Sequence, residues 1–347
     1  MTALAKRLRA QAEQCAVHGS PLTATLLRGA ADDYEAGGPT ADLLQPHAED
    51  PSGSVPSLRL AGALHRLVLQ REAPELALYY PSVGGTAASG GVWPVARQTI
   101  AEHMEALRGH VRRPVQTNEV GRSAALYGGL LHVAALTGKP LRLLEIGASA
   151  GLNLLVDRFA YDVAPGVVLG DPVSRVRLHR PWQGAAPTGT VRIAERQGCD
   201  PAPLDPADAE DRLTLTSYVW GDQLDRFERL RAALQVAAVE PVAVEQMGAS
   251  SFLERELARV AGGLATVVWH SVVRQYLAPA EREAVDRIVA EAGARATAQA
   301  PLARLTMEPE KVGAGQYRFL LELTTWPGGE QRVLAECLGH GPPIIWA

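Results

Sequence analysis

The stretch "LLEIGASAGLN" (residues 143–153) ends an apolar run on a glutamate and breaks at once into a loop of glycine, alanine and serine. Its centre, Gly147-Ala148-Ser149-Ala150-Gly151, fits two patterns. As G-x-S-x-G it is a nucleophile elbow, with Ser149 attacking an ester or amide. As acidic-x-Gly-x-small-x-Gly it is a cofactor loop whose backbone amides face a nucleotide-like ligand. The two readings make different demands on the rest of the chain.

Downstream of the loop, short apolar runs alternate with amphipathic stretches. The runs are "LRLLEIG" (141–147), "TVRIAERQGCD" (190–200), "PVAVEQM" (241–247), "ATVVWHSVV" (265–273) and "LARLTMEP" (302–309). Between them lie the helical candidates "GLNLLVDRFA", "DQLDRFERLRAALQVAA", "SFLERELARVAG" and "AEREAVDRIVAEAG". This alternation predicts a parallel sheet with crossover helices. "YRFLLELTTW" and "QRVLAECLG", joined by Pro327-Gly328-Gly329, predict an antiparallel hairpin at the sheet edge. The segment 161–182 reads as a strand pair inserted after the first crossover helix, and 211–222 as the start of a helix.

Upstream the texture is helical. Leu4, Leu8, Ala12 and Cys15 recur at helical spacing, "SPLTATLLRGAADDYEAGG" opens with Ser-Pro and closes on a glycine pair, and 57–70 and 94–111 repeat the pattern. The Gly- and Ser-rich stretch 79–91 reads as a connector. The division that follows is a helical domain over 1–113 and an α/β, Rossmann-like domain over 114–347.

Composition narrows the classes of partner. The 347 residues carry a net charge of −4, and their basic residues are scattered with no cluster that would track phosphates, so nucleic acid is not an expected partner. Three well-separated cysteines, Cys15, Cys199 and Cys337, argue against a disulfide framework and a structural zinc site. With no signal-like N-terminus and no run of about 18 apolar residues, the expectation is a cytoplasmic protein away from the membrane. Oligomeric state is not legible.

In an open parallel sheet, ligands bind beyond the C-terminal strand ends near the point where strand order reverses. Those ends carry Glu145, then Gly198-Cys199-Asp200, then Glu245-Gln246-Met247, then His270-Ser271. Three acids and a histidine in those places suit a cofactor that bears a ribose and a cation. A carboxylate beyond the second strand accepts ribose hydroxyls, one at the first loop holds an ammonium, and glycines admit the ligand closely. The elbow reading fares worse, because a hydrolase places several strands before its elbow and the chain before Ser149 reads as helical. His340 in "LGHGPP" is late enough to act as its triad base, so a serine hydrolase using Ser149 and His340 stays as an alternative.

"EIGASAGLN", "GCDPAPLD" and the closing hairpin resemble class I S-adenosylmethionine-dependent methyltransferases over roughly residues 114–347. "ELALYYPSVGG", "VQTNEVGRSAAL", "LRLLEIGASAGLNLLVDRF", "GCDPAPLD" and "HSVV" together resemble a bacterial family of unknown function, described as methyltransferase-like, over nearly the whole chain. The first resemblance implies a mostly parallel sheet with an antiparallel last strand. It implies S-adenosylmethionine as cofactor, with Glu145, Gly147, Ser149 and Gly151 around its methionine part. Asp200 would hold the ribose, or Asp171 in its stead, and Glu245, Gln246 and Met247 would flank the adenine. Two departures stand out: serine occupies the central glycine position, and "WHSVV" replaces the Asn/Asp-Pro-Pro-aromatic motif of members that methylate amino groups.

For the reaction itself, His270 is the expected base, and Glu119 and Arg122 in "QTNEVGRSAAL" are expected to close over the cofactor or bind a small-molecule substrate. Asn153 lies near enough to the loop to reach ligand. The resulting expectation is transfer from S-adenosylmethionine to a small molecule, with a non-catalytic protein that binds this cofactor or another nucleotide as a further alternative.

Overall fold

Leu141–Ile146, strand β1, is buried at every position, Arg142 and Glu145 included. That is the burial of a central parallel strand covered on both faces. The computed structural model describes residues 2–313 and 316–347. Its contacts divide the chain into two units, one of residues 1–117 and 209–228, the other of 118–208 and 229–347. The stretch 209–228, which the sequence reading leaves in the second domain, is part of the first unit.

The first unit holds helices α1 (Ala3–Val17), α2 (Pro21–Glu35), α3 (Pro39–Leu44), α4 (Pro56–Leu69), α5 (Pro74–Ala77), α6 (Val92–Glu102) and α7 (Met104–Val111). After α8 (Ser123–Thr137), which belongs to the second unit, α9 (Ala209–Ser217) returns to it, and α10 (Leu224–Val239) follows in the chain. Leu4, Leu8, Ala12 and Cys15 of α1 all enter one core with Leu27, Leu64, Leu67, Ile100 and Trp220, so the helical spacing read along α1 is its buried face. Proline opens α2 to α5, where its missing N–H is an orphan in any case. The single helix expected over 94–111 is broken at His103 into α6 and α7. Tyr80 of the 79–91 connector is buried and stacked on His65.

The second unit is built on one large sheet. Its strands are β1, β5 (Trp182–Gly184), β6 (Ile193–Asp200), β7 (Val244–Gln246), β8 (Ala265–Ser271), β9 (Leu302–Gly313), β10 (Gln316–Trp326), β11 (Glu330–Leu338) and β12 (Gly341–Trp346). They lie in the order β5-β12-β11-β10-β9-β8-β1-β6-β7. β7, β6, β1, β8 and β9 pair in parallel. From β9 the chain turns into an antiparallel meander through β10, β11 and β12. The hairpin expected at the C-terminal end is the β10–β11 part of it. β12 and β5 have no counterpart in the sequence reading; "GPPIIW" opens with two prolines, which lack the N–H a strand ladder needs.

One face of the sheet is covered by α11 (Ala249–Ala258) and α12 (Pro279–Ala294), whose Phe252, Leu253, Val285 and Val289 pack on Leu144, Ile146 and Val268. α8 packs against β8, β9 and β12 and is buried along most of its length. Gly128 and Gly129 bring it close: a β-carbon on Gly128 would sit 2.2 Å from the Trp346 ring, and one on Gly129 2.4 Å from Leu305.

The helix expected over 151–160 is instead a 3-10 segment, Leu152–Arg158, with a kink at Leu155. The carbonyl of Leu154 accepts a hydrogen bond from Arg196 Nη1 at 2.8 Å, and the same guanidinium pairs with Asp157 at 2.7 and 2.9 Å. The turn is thus tied to β6 side chains and runs straight into β2 (Ala160–Ala164). With β3 (Val167–Gly170) and β4 (Arg177–His179), β2 forms a separate three-stranded sheet where the sequence reading expects an inserted strand pair. Among the described residues no helix is long and apolar enough to cross a membrane.

Candidate functional site

The loop after β1 has left-handed backbone at three alternate residues: Gly147 (φ 67°), Ser149 (φ 53°) and Gly151 (φ 71°). Glycine takes this conformation freely, whereas at Ser149 the Cβ makes it a strained position held by its surroundings. The holding groups are evident. Asp200 Oδ2 accepts from the Ser149 amide at 3.0 Å, and the Ser149 carbonyl accepts from the Leu204 amide at 3.3 Å. The Ala148 amide donates to the Cys199 carbonyl, the Gly151 amide to the Ala148 carbonyl, and the Leu152 amide to Asn118 Oδ1 at 2.9 Å. With those amides committed to protein acceptors, the loop is not a phosphate cradle. Its glycines serve close approach: a β-carbon on Gly147 would lie 2.5 Å from Val273, and one on Gly151 2.8 Å from Val242 and Val244.

Asp200 closes β6, the strand beside β1, with its carboxylate against this loop. Its second oxygen accepts from the Ala202 amide at 2.9 Å. Asp171 sits elsewhere, directly after β3 of the separate three-stranded sheet, where it caps a turn by accepting from the Val173 amide. The two acids are therefore not equivalent, and only Asp200 adjoins the glycine loop.

Glu145 is 3% exposed, and its Oε2 has no hydrogen-bond partner among the described residues. Burial pushes its carboxyl up to about 8, helped by the negative charge of Asp200, against the opposing pull of the Trp269 indole and the Arg122 charge. Such a group holds its proton at neutral pH. Asn153, also buried, donates to the Glu119 carbonyl at 3.4 Å, and its Oδ1 has no partner among the described residues.

Glu119 accepts from the Gly121 amide at 2.9 Å and lies 3.7 Å from Arg229. Arg122 donates to the carbonyls of Gly339 (3.0 Å) and Ser271 (3.3 Å), so it clamps the end of β8 to the turn between β11 and β12. His340 lies in that same turn, its carbonyl against Gly121. His270 is 1% exposed; its Nδ1 is 2.7 Å from Glu308 Oε1, while its Nε2 has no partner among the described residues.

The third-strand trio is split by the alternation of the strand. Glu245 pairs in register with Cys199 and Gln246 with Asp200. Glu245 is taken up by Arg255, at 2.7 Å to each oxygen, and by Gln197. Gln246 donates to the Pro201 carbonyl at 3.3 Å, and Met247 packs on the core below α11 and α12. The structure thus brings Glu145, Gly147, Ser149, Gly151, Asn153 and Asp200 together around one loop and leaves Glu245 in a surface ion pair. Glu308, Trp269 and Asn118 are neighbours that sequence reasoning does not single out as site residues. The strand-end rule, carried on to "LARLTMEP", points to Glu308. Among the described residues no group of His, Cys, Asp and Glu side chains is arranged to hold a metal ion.

Comparison with known proteins gives one match. A family model described as "Uncharacterized protein conserved in bacteria (DUF2332)" matches residues 5–346, and the chain belongs to that family. No curated protein and no solved structure matches it.

Proposed function

We propose that this member of the family binds S-adenosylmethionine at the Gly147–Gly151 loop and transfers a methyl group to a small molecule. The observation that carries the reading is Glu145, a buried carboxyl at the end of the central strand with one oxygen that has no partner among the described residues. A ligand bearing an ammonium and a sulfonium brings positive charge to such a carboxyl and restores its ionised form. Asp200 supports the same reading. After its bonds to Ser149 and Ala202, each of its oxygens retains a lone pair, which suits the two hydroxyls of a ribose. The parallel order turns to opposite sides at β1, with β6 on one flank and β8 on the other, and ligands of open α/β sheets occupy that switch point.

In this reading Glu145 fixes the ammonium, Asp200 orients the sugar, and Gln246, which shares a register position with Asp200, contributes to the adenine edge. Arg122 and Glu119 brace the wall of the site through backbone groups. His270 is the candidate proton acceptor for the molecule to be methylated. The cofactor, when bound, would supply the electrophilic methyl group.

The left-handed Ser149 is a feature shared with nucleophile elbows, and it favours the hydrolase as second reading. An elbow, however, feeds an α-helix, and here a kinked 3-10 segment follows. Calorimetric titration with S-adenosylmethionine and S-adenosylhomocysteine decides between them. Binding at about micromolar Kd, weakened at least about tenfold by Glu145→Gln and by Asp200→Asn, is the expected result. A folded sample that binds neither molecule, and whose Ser149 is labelled by a fluorophosphonate, would overturn it.

A further inference from the structure

Buried His270 and partly buried Glu308 form a pair whose outer atoms have no partner among the described residues. Glu308 Oε1 faces His270 Nδ1 at 2.7 Å and accepts from the Val273 amide at 3.0 Å. His270 Nε2 and Glu308 Oε2 have no partner among the described residues. His270 lies at the C-terminal end of β8 and Glu308 midway along β9, one residue past the last position at which the two strands pair, Ser271 with Met307.

The pair is tied to the glycine loop. Val273, whose amide Glu308 holds, is the residue whose side chain would meet a β-carbon at Gly147. The turn that carries it is constrained, with Val272 in left-handed backbone (φ 55°) and its amide donating to the Met307 carbonyl at 2.9 Å. One carboxylate therefore sets both the histidine ring and the turn folded against the loop. A buried nitrogen without a partner is uncommon in a folded protein and calls for a role.

We propose that Glu308 is a positioning residue that keeps the His270 proton on Nδ1, so that Nε2 is held as a proton acceptor for a hydroxyl or amine of the molecule to be methylated. The inference rests on the transferase reading above for the identity of the donor molecule. A carboxylate facing Nδ1 accepts its N–H, which leaves the Nε2 lone pair exposed to whatever lies beyond it. When a hydroxyl or amine gives its proton to Nε2, the electron pair of the O–H or N–H bond stays on the oxygen or nitrogen as the nucleophile. The imidazolium that forms has the Glu308 carboxylate opposite it. Acceptors that are already anionic, such as carboxylates, have no need of this arrangement.

The test is the tautomer of His270 in the intact protein, read from the nitrogen-15 resonances of its ring in the neutral form, alongside S-adenosylhomocysteine binding by calorimetry on the same samples. In the wild type, Nδ1 should be protonated and Nε2 bare. Glu308→Ala should shift the ring toward the Nε2-protonated form with cofactor binding kept within about threefold, and Glu308→Gln, which retains an acceptor oxygen, should restore the wild-type tautomer. A wild-type ring protonated at Nε2 would overturn the proposal, because that nitrogen could not accept a proton. So would an unchanged tautomer in Glu308→Ala. The wild-type measurement stands even if a variant fails to fold. Loss of S-adenosylhomocysteine binding by the wild type, with the Nδ1 tautomer present, would count against the cofactor reading and leave the role of Glu308 intact.

Discussion

Glu145 holds its proton well above the ordinary range of a glutamate, and this has a consequence for stability. Unfolded, the group titrates near its ordinary 4.5; folded, it titrates at about 8. Between those values the folded chain keeps a proton that the unfolded chain has lost. The associated stability is fully present below about pH 4.5 and falls away as pH rises through about 8. Glu145→Gln removes this slope. The variant should overtake the wild type as pH rises, by on the order of a few kcal/mol above pH 8, read as a gap in denaturation midpoints that opens between pH 5 and 8. A gap of constant size would show that Glu145 does not titrate in this window. Under the proposed function, S-adenosylmethionine binding at pH 7 should also release about one proton, seen as a calorimetric enthalpy that varies with the ionisation enthalpy of the buffer. Legibility at this scale follows the strand parity. Glu145 and Asp200 could be read from strand ends alone, but whether Glu245 faces the loop or Arg255 depends on a one-residue register that the sequence pattern does not specify. Glu308 belongs to a residue pair 38 positions apart, and neither member shows the other.

Elements were legible where their period was strong. β1, β6, β8 and β9 stand out as apolar runs, and the Pro-Gly-Gly turn marks the β10–β11 hairpin. What hid was set by packing. β12 carries two prolines, and the segment after Gly151 has helical composition but gives a backbone carbonyl to Arg196. α8 shows the same dependence in a form that can be tested. Alanine in place of a helix-interior glycine ordinarily gains about 1 kcal/mol from propensity. At Gly128 the new methyl would enter the Trp346 ring, which is packed edge-on against Trp182 at 5.6 Å, while Trp182 is itself held by a 3.0 Å bond from its Nε1 to the Ala124 carbonyl. Both indoles are buried, and overpacking of this kind costs about 1–3 kcal/mol. Gly128→Ala should therefore destabilise the protein by up to about 2 kcal/mol net, measured as a lower denaturant midpoint at unchanged m-value. A stabilised variant would mean that the ring yields and that the close approach of α8 is not a constraint.

At the scale of the whole chain, the informative segment is 209–228, which sequence order assigns to one domain and contacts assign to the other. Its tether to the first unit is chemical and specific. Trp220 is part of that unit's core. Asp222 accepts from Ser20 Oγ at 2.5 Å and from the Leu22 amide at 2.9 Å, and so caps α2 from about 200 residues away. Ser20, which occupies the cap position of α2, makes no cap bond of its own. Gln223 donates to the His18 carbonyl at 2.6 Å, Arg66 donates to Thr214 at 2.9 Å, and His65 Nδ1 is 3.1 Å from the Ser217 carbonyl. A linear pattern search cannot see contacts at such separations, and for that reason a boundary at 113 looks complete from the sequence. A fragment of residues 1–117 lacks a core tryptophan, a helix cap, the partners of Arg66 and the Ser217 carbonyl that faces His65. It should then melt broadly or not at all, and a peptide of residues 209–228 added in excess should restore a cooperative transition. In the intact chain, Asp222→Ala should cost about 1–2 kcal/mol, the usual penalty for a lost cap with a charged acceptor. If fragment 1–117 alone melts as sharply, and at the same temperature, as it does with the peptide, the segment is a passenger on the first unit and the sequence boundary is the physical one.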